Sequence, residues 1–154
     1  MTEMIEIIDH LCVGTEKDSR TPGIFDAVIN CTKKIPFYTS GDQVSIRVGI
    51  DDGGFEEDNQ VLFNEMPVLV LEMNRLLNEK QNVLVHCRMG QQRSCTVIAA
   101  FLIWKYKWGV EETMDFMKTK HKEAFMCGAN FDEFLGVWHD HVIESALIYK
   151  NKME

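Results

Sequence analysis

Val83-Leu84-Val85-His86-Cys87-Arg88-Met89-Gly90-Gln91-Gln92-Arg93-Ser94 is the stretch that decides the fold of this chain. Val83-Leu84-Val85 reads as a short buried strand, and the chain then enters a loop holding Cys87, Gly90 and Arg93. From Ser94 onward the apolar spacing becomes helical, with Val97, Ile98, Phe101, Leu102 and Trp104. A strand feeding a tight loop that opens a helix gathers backbone N–H groups around one point, at the positive end of the helix dipole. Such a place holds anions. A thiol there is set up to be a thiolate, so Cys87 is the candidate nucleophile. Arg93 adds a planar fork matched to two phosphate oxygens.

His86-Cys87-Arg88-Met89-Gly90-Gln91-Gln92-Arg93-Ser94 resembles the H-C-x-x-G-x-x-R-[ST] signature of cysteine-dependent phosphatases. The short strand before it and the small domain are most similar to the dual-specificity protein phosphatase branch. The plainer alternative, a buried structural cysteine beside an arginine paired elsewhere, fits the fixed residue order poorly. The resemblance extends along the chain. Ile7–Gly14 is similar to the family's I-x-x-x-L-x-x-G opening and Val28-Ile29-Asn30-Cys31 to its V-I-N strand. Ala99-Ala100-Phe101-Leu102 resembles the helix after the loop, and Asn130-Phe131 the start of the final helix.

The resemblance implies a role for each residue. Cys87 attacks phosphorus, while Arg93 and the backbone of Arg88, Met89, Gly90, Gln91 and Gln92 bind phosphate, with the variable side chains colouring the rim. Gly90 meets a backbone conformation unfavourable to other residues. The Ser94 hydroxyl donates to the Cys87 sulfur, or is a plain helix cap. His86 orders the loop from behind. The family's general acid is an Asp after an I-x-Φ-x-D strand, and Val48-Gly49-Ile50-Asp51-Asp52 fits with Asp52, 35 residues before Cys87. Strand alternation puts Ile46, Val48, Ile50 and Asp52 on one face; Asp51 and Asp58 are the alternatives. Glu56 and Glu57 read as solvated loop charge. Cys31 closes a neighbouring strand and is either a redox partner for Cys87, as in some relatives, or a small buried hydrophobe. Cys95 is the weaker partner.

Composition narrows the function classes. The chain has 154 residues, one domain's worth, spanning 1–154, with 45% hydrophobic and 26% charged residues. A net charge of −8 argues against a nucleic acid partner, which would need a basic face. Five cysteines form no zinc spacing, so neither metal nor other cofactor is expected. Their odd number, without a targeting segment or an apolar run of membrane length, points to the cytoplasm, with the nucleus open by diffusion and no membrane partner. The chain is expected to be a monomer. His139-Asp140-His141 reads as a surface stretch, because i and i+2 of a helix point apart. Lys118, Lys120 and Lys122 with His121 read as a basic helix end.

Outside the central stretch, strands are expected around Ile5–Ile7, at Leu11–Gly14, Phe25–Cys31 and Gln43–Ile50, with a short helix within 15–20. Turn residues fill 32–42, and Gly53-Gly54 with Glu56, Glu57 and Asp58 a loop. Helices are expected over Val61–Leu77 (kinked at, or starting late because of, Pro67), Ser94–Tyr106, Val110–His121 and Asn130–Ile148. The class is therefore α/β: a central, mostly parallel sheet of four to five strands flanked by helices, which the resemblance identifies with the protein tyrosine phosphatase-like fold. The expected reaction is metal-independent phosphomonoester hydrolysis on a phosphorylated protein, at phosphotyrosine and phosphoserine or phosphothreonine. An RNA 5′-phosphatase, a phosphoinositide phosphatase and a silent phospho-binding module are the rivals. The loop carries no lysine, unlike lipid phosphatases, and ends Arg-Ser rather than the Arg-Thr usual in RNA-triphosphatase relatives.

Overall fold

Five strands form one sheet in the computed structural model, which describes residues 4–21, 24–38 and 41–153. They are β1 (Ile5–Ile8), β2 (Leu11–Gly14), β3 (Ala27–Asn30), β4 (Val44–Arg47) and β5 (Val83–His86), ordered β1-β2-β5-β3-β4 across the sheet. β5 lies in the middle, parallel to β2 on one side and to β3 on the other. β4 continues the parallel set, and only β1 is antiparallel. Every residue of β3 and β5 is buried, which is why both read as unbroken apolar runs.

The helices are α1 (Glu16–Ser19), α2 (Glu56–Asn78), α3 (Arg93–Tyr106), α4 (Val110–Lys120) and α5 (Asp132–Met153). Leu11, Val13, Ala27, Ile29, Val83 and Val85 join the main core with the buried faces of α2, α3 and α5. Val28 and Leu84 point the other way and pack with Phe25 against Met4, Cys12 and Phe37. Ser94 through Ile103 are all buried, so α3 is the central helix and carries little amphipathic pattern. Trp138 of α5 locks onto it, its indole N–H donating to the Ala100 carbonyl at 2.9 Å. The expected α/β architecture is the one observed.

Several boundaries differ from the sequence reading. α2 starts at Glu56, so Glu56, Glu57 and Asp58 form its first turn rather than a loop, where negative charge suits the helix dipole. Pro67 sits inside α2 on an exposed face, where water can take the hydrogen bond it removes. β4 stops at Arg47, so strand alternation does not reach Asp52. α5 begins at Asp132 and runs to Met153, starting later and ending later than expected. Thr39 and Ser40 of the 32–42 connector lie outside the described residues.

Candidate functional site

β5 ends at the C-terminal edge of the sheet and delivers Cys87 directly into the turn before α3. The carbonyls of that turn are bonded outward. The Cys87 carbonyl meets His86 Nδ1 at 3.2 Å, and that of Arg88 accepts the Glu16 N–H at 3.3 Å. The Gly90 carbonyl meets His121 Nε2 at 2.8 Å and accepts the Cys95 thiol at 3.4 Å, and the Gln91 carbonyl accepts the Phe125 N–H at 2.9 Å. The peptides of the loop are trans, so the N–H of each following residue (Arg88, Met89, Gln91 and Gln92) points to the inner side of the loop. The result is a nest of amides suited to an anion.

Gly90 has φ +69°, and a Cβ there would sit 3.0 Å from the Gly14 carbonyl oxygen. The glycine expectation therefore holds on two counts, conformation and space. Ser94 Oγ lies 3.2 Å from Cys87 Sγ, both groups being buried. Gln92 is the N-cap position of α3, two residues before Ser94, so Ser94 is not the helix cap. His86 is fully buried, and desolvation lowers its pKa, which favours the neutral ring behind the loop.

Arg93 closes the ring of residues. Its guanidinium donates to the Ile50 carbonyl at 3.2 Å, and Nε stands 3.6 Å from Asp52 Oδ1. That Nε is buried and has no hydrogen-bond partner among the described residues. Burial raises the Asp52 carboxyl above its ordinary value, with the Arg93 charge opposing. Asp51 behaves oppositely: Lys33 bonds it at 2.9 Å and holds its carboxyl below the usual range. Asp58 is buried in α2, where it accepts the Asp51 N–H at 3.1 Å. The two alternatives to Asp52 are thus engaged in structure, one as an ion pair and one as a loop anchor.

Gln92 corrects one expectation. Its side chain does not colour the rim but is buried, donating to the carbonyls of Met126 at 3.0 Å and Gly128 at 2.9 Å. Its Oε1 accepts the Asn130 N–H at 2.9 Å. Met89 and Arg88 are exposed as expected for rim positions, and Gln91 is half-buried. His121, read from sequence as part of a basic helix end, is buried under the loop. No local pattern signalled either role, because the partners lie more than 30 residues away. Cys31 is fully buried in line with Cys87: its N–H donates to the His86 carbonyl at 2.8 Å, and Asn30 pairs with His86 in the sheet. Burial pushes the Cys31 thiol well up, with Cys87 and Cys95 close enough to add to the effect. His139 and Asp140 approach at 3.8 Å on α5, and no group of three metal-ligating side chains occurs among the described residues.

Residues 14–141 match the family model described as dual specificity phosphatase, catalytic domain. Dual specificity protein phosphatase 7 of Homo sapiens is 28% identical over 123 residues, covering 75% of this chain and 28% of that protein. The chain therefore spans little more than a quarter of that relative's length. Human DUSP28 superposes with a TM-score of 0.78 at 14% identity, over 90% of this chain and 94% of that one. PTPMT1, solved in complex with PI(5)P, gives 0.76 at 19% identity, over 93% and 98%. At these identities the two structural likenesses are likenesses of fold.

Proposed function

This chain belongs to the dual specificity phosphatase family, and from that premise we propose that it hydrolyses phosphotyrosine and phosphoserine or phosphothreonine on proteins through a cysteinyl-phosphate intermediate. The observation that carries the reading is the Arg93 Nε, buried and without a hydrogen-bond partner among the described residues, beside a loop whose Cys87, Arg88, Gly90 and Gln91 carbonyls are engaged on its outer side. A phosphoryl group placed there satisfies both the fork and the amides.

In the first step the Cys87 thiolate attacks phosphorus in line with the departing oxygen. Arg93 and the loop amides hold the equatorial oxygens, and Asp52 protonates the leaving alcohol. Ser94, 3.2 Å from the sulfur, donates to the thiolate as it leaves in the second step. There water attacks the cysteinyl phosphate, with Asp52 now taking the proton. His86 stays behind the loop as a neutral support. Cys31 is proposed as a redox partner of Cys87 on the strength of their alignment in neighbouring strands.

The single sheet with its helices is read as one catalytic domain. All five cysteines are free, which supports a reducing, cytoplasmic setting. Among the described residues no helix is long and apolar enough to cross a membrane. Side-by-side turnover of a phosphotyrosine peptide, a phosphothreonine peptide, a soluble phosphoinositide and a 5′-triphosphorylated RNA tests the substrate class. The proposal expects the peptides to lead in kcat/KM; a lead by the lipid or the RNA overturns it.

A further inference from the structure

β4 is the last strand of the sheet on the side away from β1, and no described strand lies beyond it. The N–H groups of Val44 and Val48 donate to the Asp26 and Asn30 carbonyls at 2.9 Å, toward β3. Alternation along the strand therefore turns the N–H and carbonyl groups of Ser45 and Arg47 to the open side. No proline, lysine or bulge blunts this edge, because β4 pairs with β3 in unbroken register from Val44 to Arg47. Its one cation, Arg47, is turned away onto the Thr32 and Ile35 carbonyls at 2.7 and 2.8 Å. At four residues the strand offers few ladder bonds, so whatever pairs with it needs side-chain contacts as well.

Those contacts are present on the α2 side. A groove of about 400 Å³ lies there, lined by Ile46, Val48, Val68 and Leu69, with Glu65 and Glu72 among its walls. Ile46 and Val48 share it because residues two apart on a strand point to one face. Val68 is 72% exposed, more than any other large apolar side chain among the described residues, and Leu71 beside it on α2 is 59% exposed. The two carboxylates differ. Glu72 is paired with Arg75, whereas no cation of a described residue lies within ion-pair distance of Glu65. Burial raises the Glu65 carboxyl above its ordinary value, with no opposing charge to offset it.

We infer that the free edge of β4 and this groove dock an extended segment of a partner protein with alternating apolar and basic residues. The segment adds a strand beside β4, lays apolar side chains against Ile46, Val48 and Val68, and sets a lysine or arginine beside Glu65. Backbone groups that face outward from an edge call for an extended partner, since a helix has already bonded its own N–H and carbonyl groups. The lone carboxylate calls for a cation. A second copy of this chain supplies none, because Arg47, the one basic residue of its β4, is held by the Thr32 and Ile35 carbonyls. Two molecules of net charge −8 also repel.

The probe is a short labelled peptide alternating valine and lysine, titrated with the whole chain by fluorescence anisotropy, while NMR hydrogen exchange reads the edge. A valine–glutamate peptide and a valine–lysine peptide with an N-methylated backbone are the controls. Saturable binding of the valine–lysine peptide is expected, about tenfold tighter than either control, with the Ser45 and Arg47 amides newly protected from exchange. Ser45→Pro removes an outward N–H without touching the β3 ladder and should weaken binding by about tenfold. Glu65→Gln should weaken it by about threefold, and Glu112→Gln, an exposed acid on α4, should leave it unmoved. Urea midpoints report whether each variant keeps its fold. If Ser45→Pro does not, the N-methylated peptide makes the same test from the ligand's side. No saturable binding, equal binding of the glutamate peptide, or binding without protection of the Ser45 and Arg47 amides overturns the docking site. A dimer of the chain in sedimentation, lost in Ser45→Pro, gives the edge to a second copy and overturns the peptide assignment.

Discussion

Asn130 holds Asp52 by its backbone: the Asn130 side-chain amide donates to the Asp52 carbonyl at 2.7 Å, while the carboxylate faces Arg93. Behind this contact Asn130 is itself held, its N–H donating to Gln92 Oε1 at 2.9 Å. Next to it the chain passes so closely that a Cβ on Gly54 would lie 2.0 Å from the Asn130 carbonyl oxygen, at a φ of +71°. On the opposite side Arg93 grips the Ile50 carbonyl. The segment carrying the proposed general acid is therefore clamped from both ends to the element carrying the proposed nucleophile.

Asn130→Ala removes one clamp while keeping the backbone N–H that Gln92 needs. The expected result is a fall in kcat of about tenfold on an unactivated phosphoester, since misplacement of a reacting group costs rate more than binding. An activated aryl phosphate, which needs little protonation, should be affected far less. Steady-state kinetics on phenyl phosphate and para-nitrophenyl phosphate check this, and equal losses on both would remove the clamp from the mechanism.

Gln92→Leu should destabilise the fold by about 1–3 kcal/mol, because the Met126 and Gly128 carbonyls and the Asn130 N–H lose partners at a partly buried place. Gln91→Leu is the contrast. Its side chain donates to the exposed Glu123 at 3.3 Å, so the change should stay within about 0.5 kcal/mol. Urea unfolding of the two variants reads the difference directly.

The pH dependence follows from opposite environments of two adjacent carboxyls. Burial raises Asp52, so it keeps its proton to higher pH than an ordinary carboxyl, and acid catalysis is lost as pH rises through that raised value. Asp51, held low by Lys33, is ionised throughout and has no proton to give. Asp52→Asn should flatten the alkaline limb of the pH–rate profile and slow poor leaving groups by about 10²–10⁴-fold. Asp51→Asn should leave the limb in place. A larger effect from Asp51→Asn would move the acid role to that residue.

Oxidation should cross-link Cys31 to Cys87. Peroxide converts the Cys87 thiolate to a sulfenic acid, and attack by the Cys31 sulfur forms the disulfide with loss of water. The two cysteines occupy neighbouring positions just beyond the paired residues Asn30 and His86. Because burial keeps Cys31 protonated, the second step should be slow. Intact mass after mild peroxide should show loss of two hydrogens, reversed by dithiol and absent in Cys31→Ser. Irreversible gain of oxygens on Cys87, unchanged in Cys31→Ser, would leave Cys31 as core packing.

The β5–loop–α3 unit was legible because its signals are local. Apolar residues at 83–85, a glycine at the one position with positive φ in the loop, and helical spacing from Ser94 all lie within a short window. The braces were not. Gln92 meets Asn130 across 38 residues and His121 meets Gly90 across 31, and glutamine or histidine in a polar stretch looks the same whether solvated or buried. The start of α2 was missed for a related reason. Glu56, Glu57 and Asp58 carry no apolar periodicity, and only the fold shows that Asp58 turns inward to anchor Asp51. In β4 the alternation of Val44 and Ile46 continues in Val48 and Ile50 beyond the strand's end, so periodicity alone overstated its length.

Turnover by Cys87→Ser bears most directly on the central claim. Cys87 supplies the nucleophile, while Arg93 and the loop amides bind the phosphate independently of the sulfur. Hydrolysis of para-nitrophenyl phosphate should therefore vanish in the variant, although it still binds tungstate with an affinity close to that of wild type. Turnover at a substantial fraction of the wild-type rate would contradict a covalent cysteinyl mechanism at this loop.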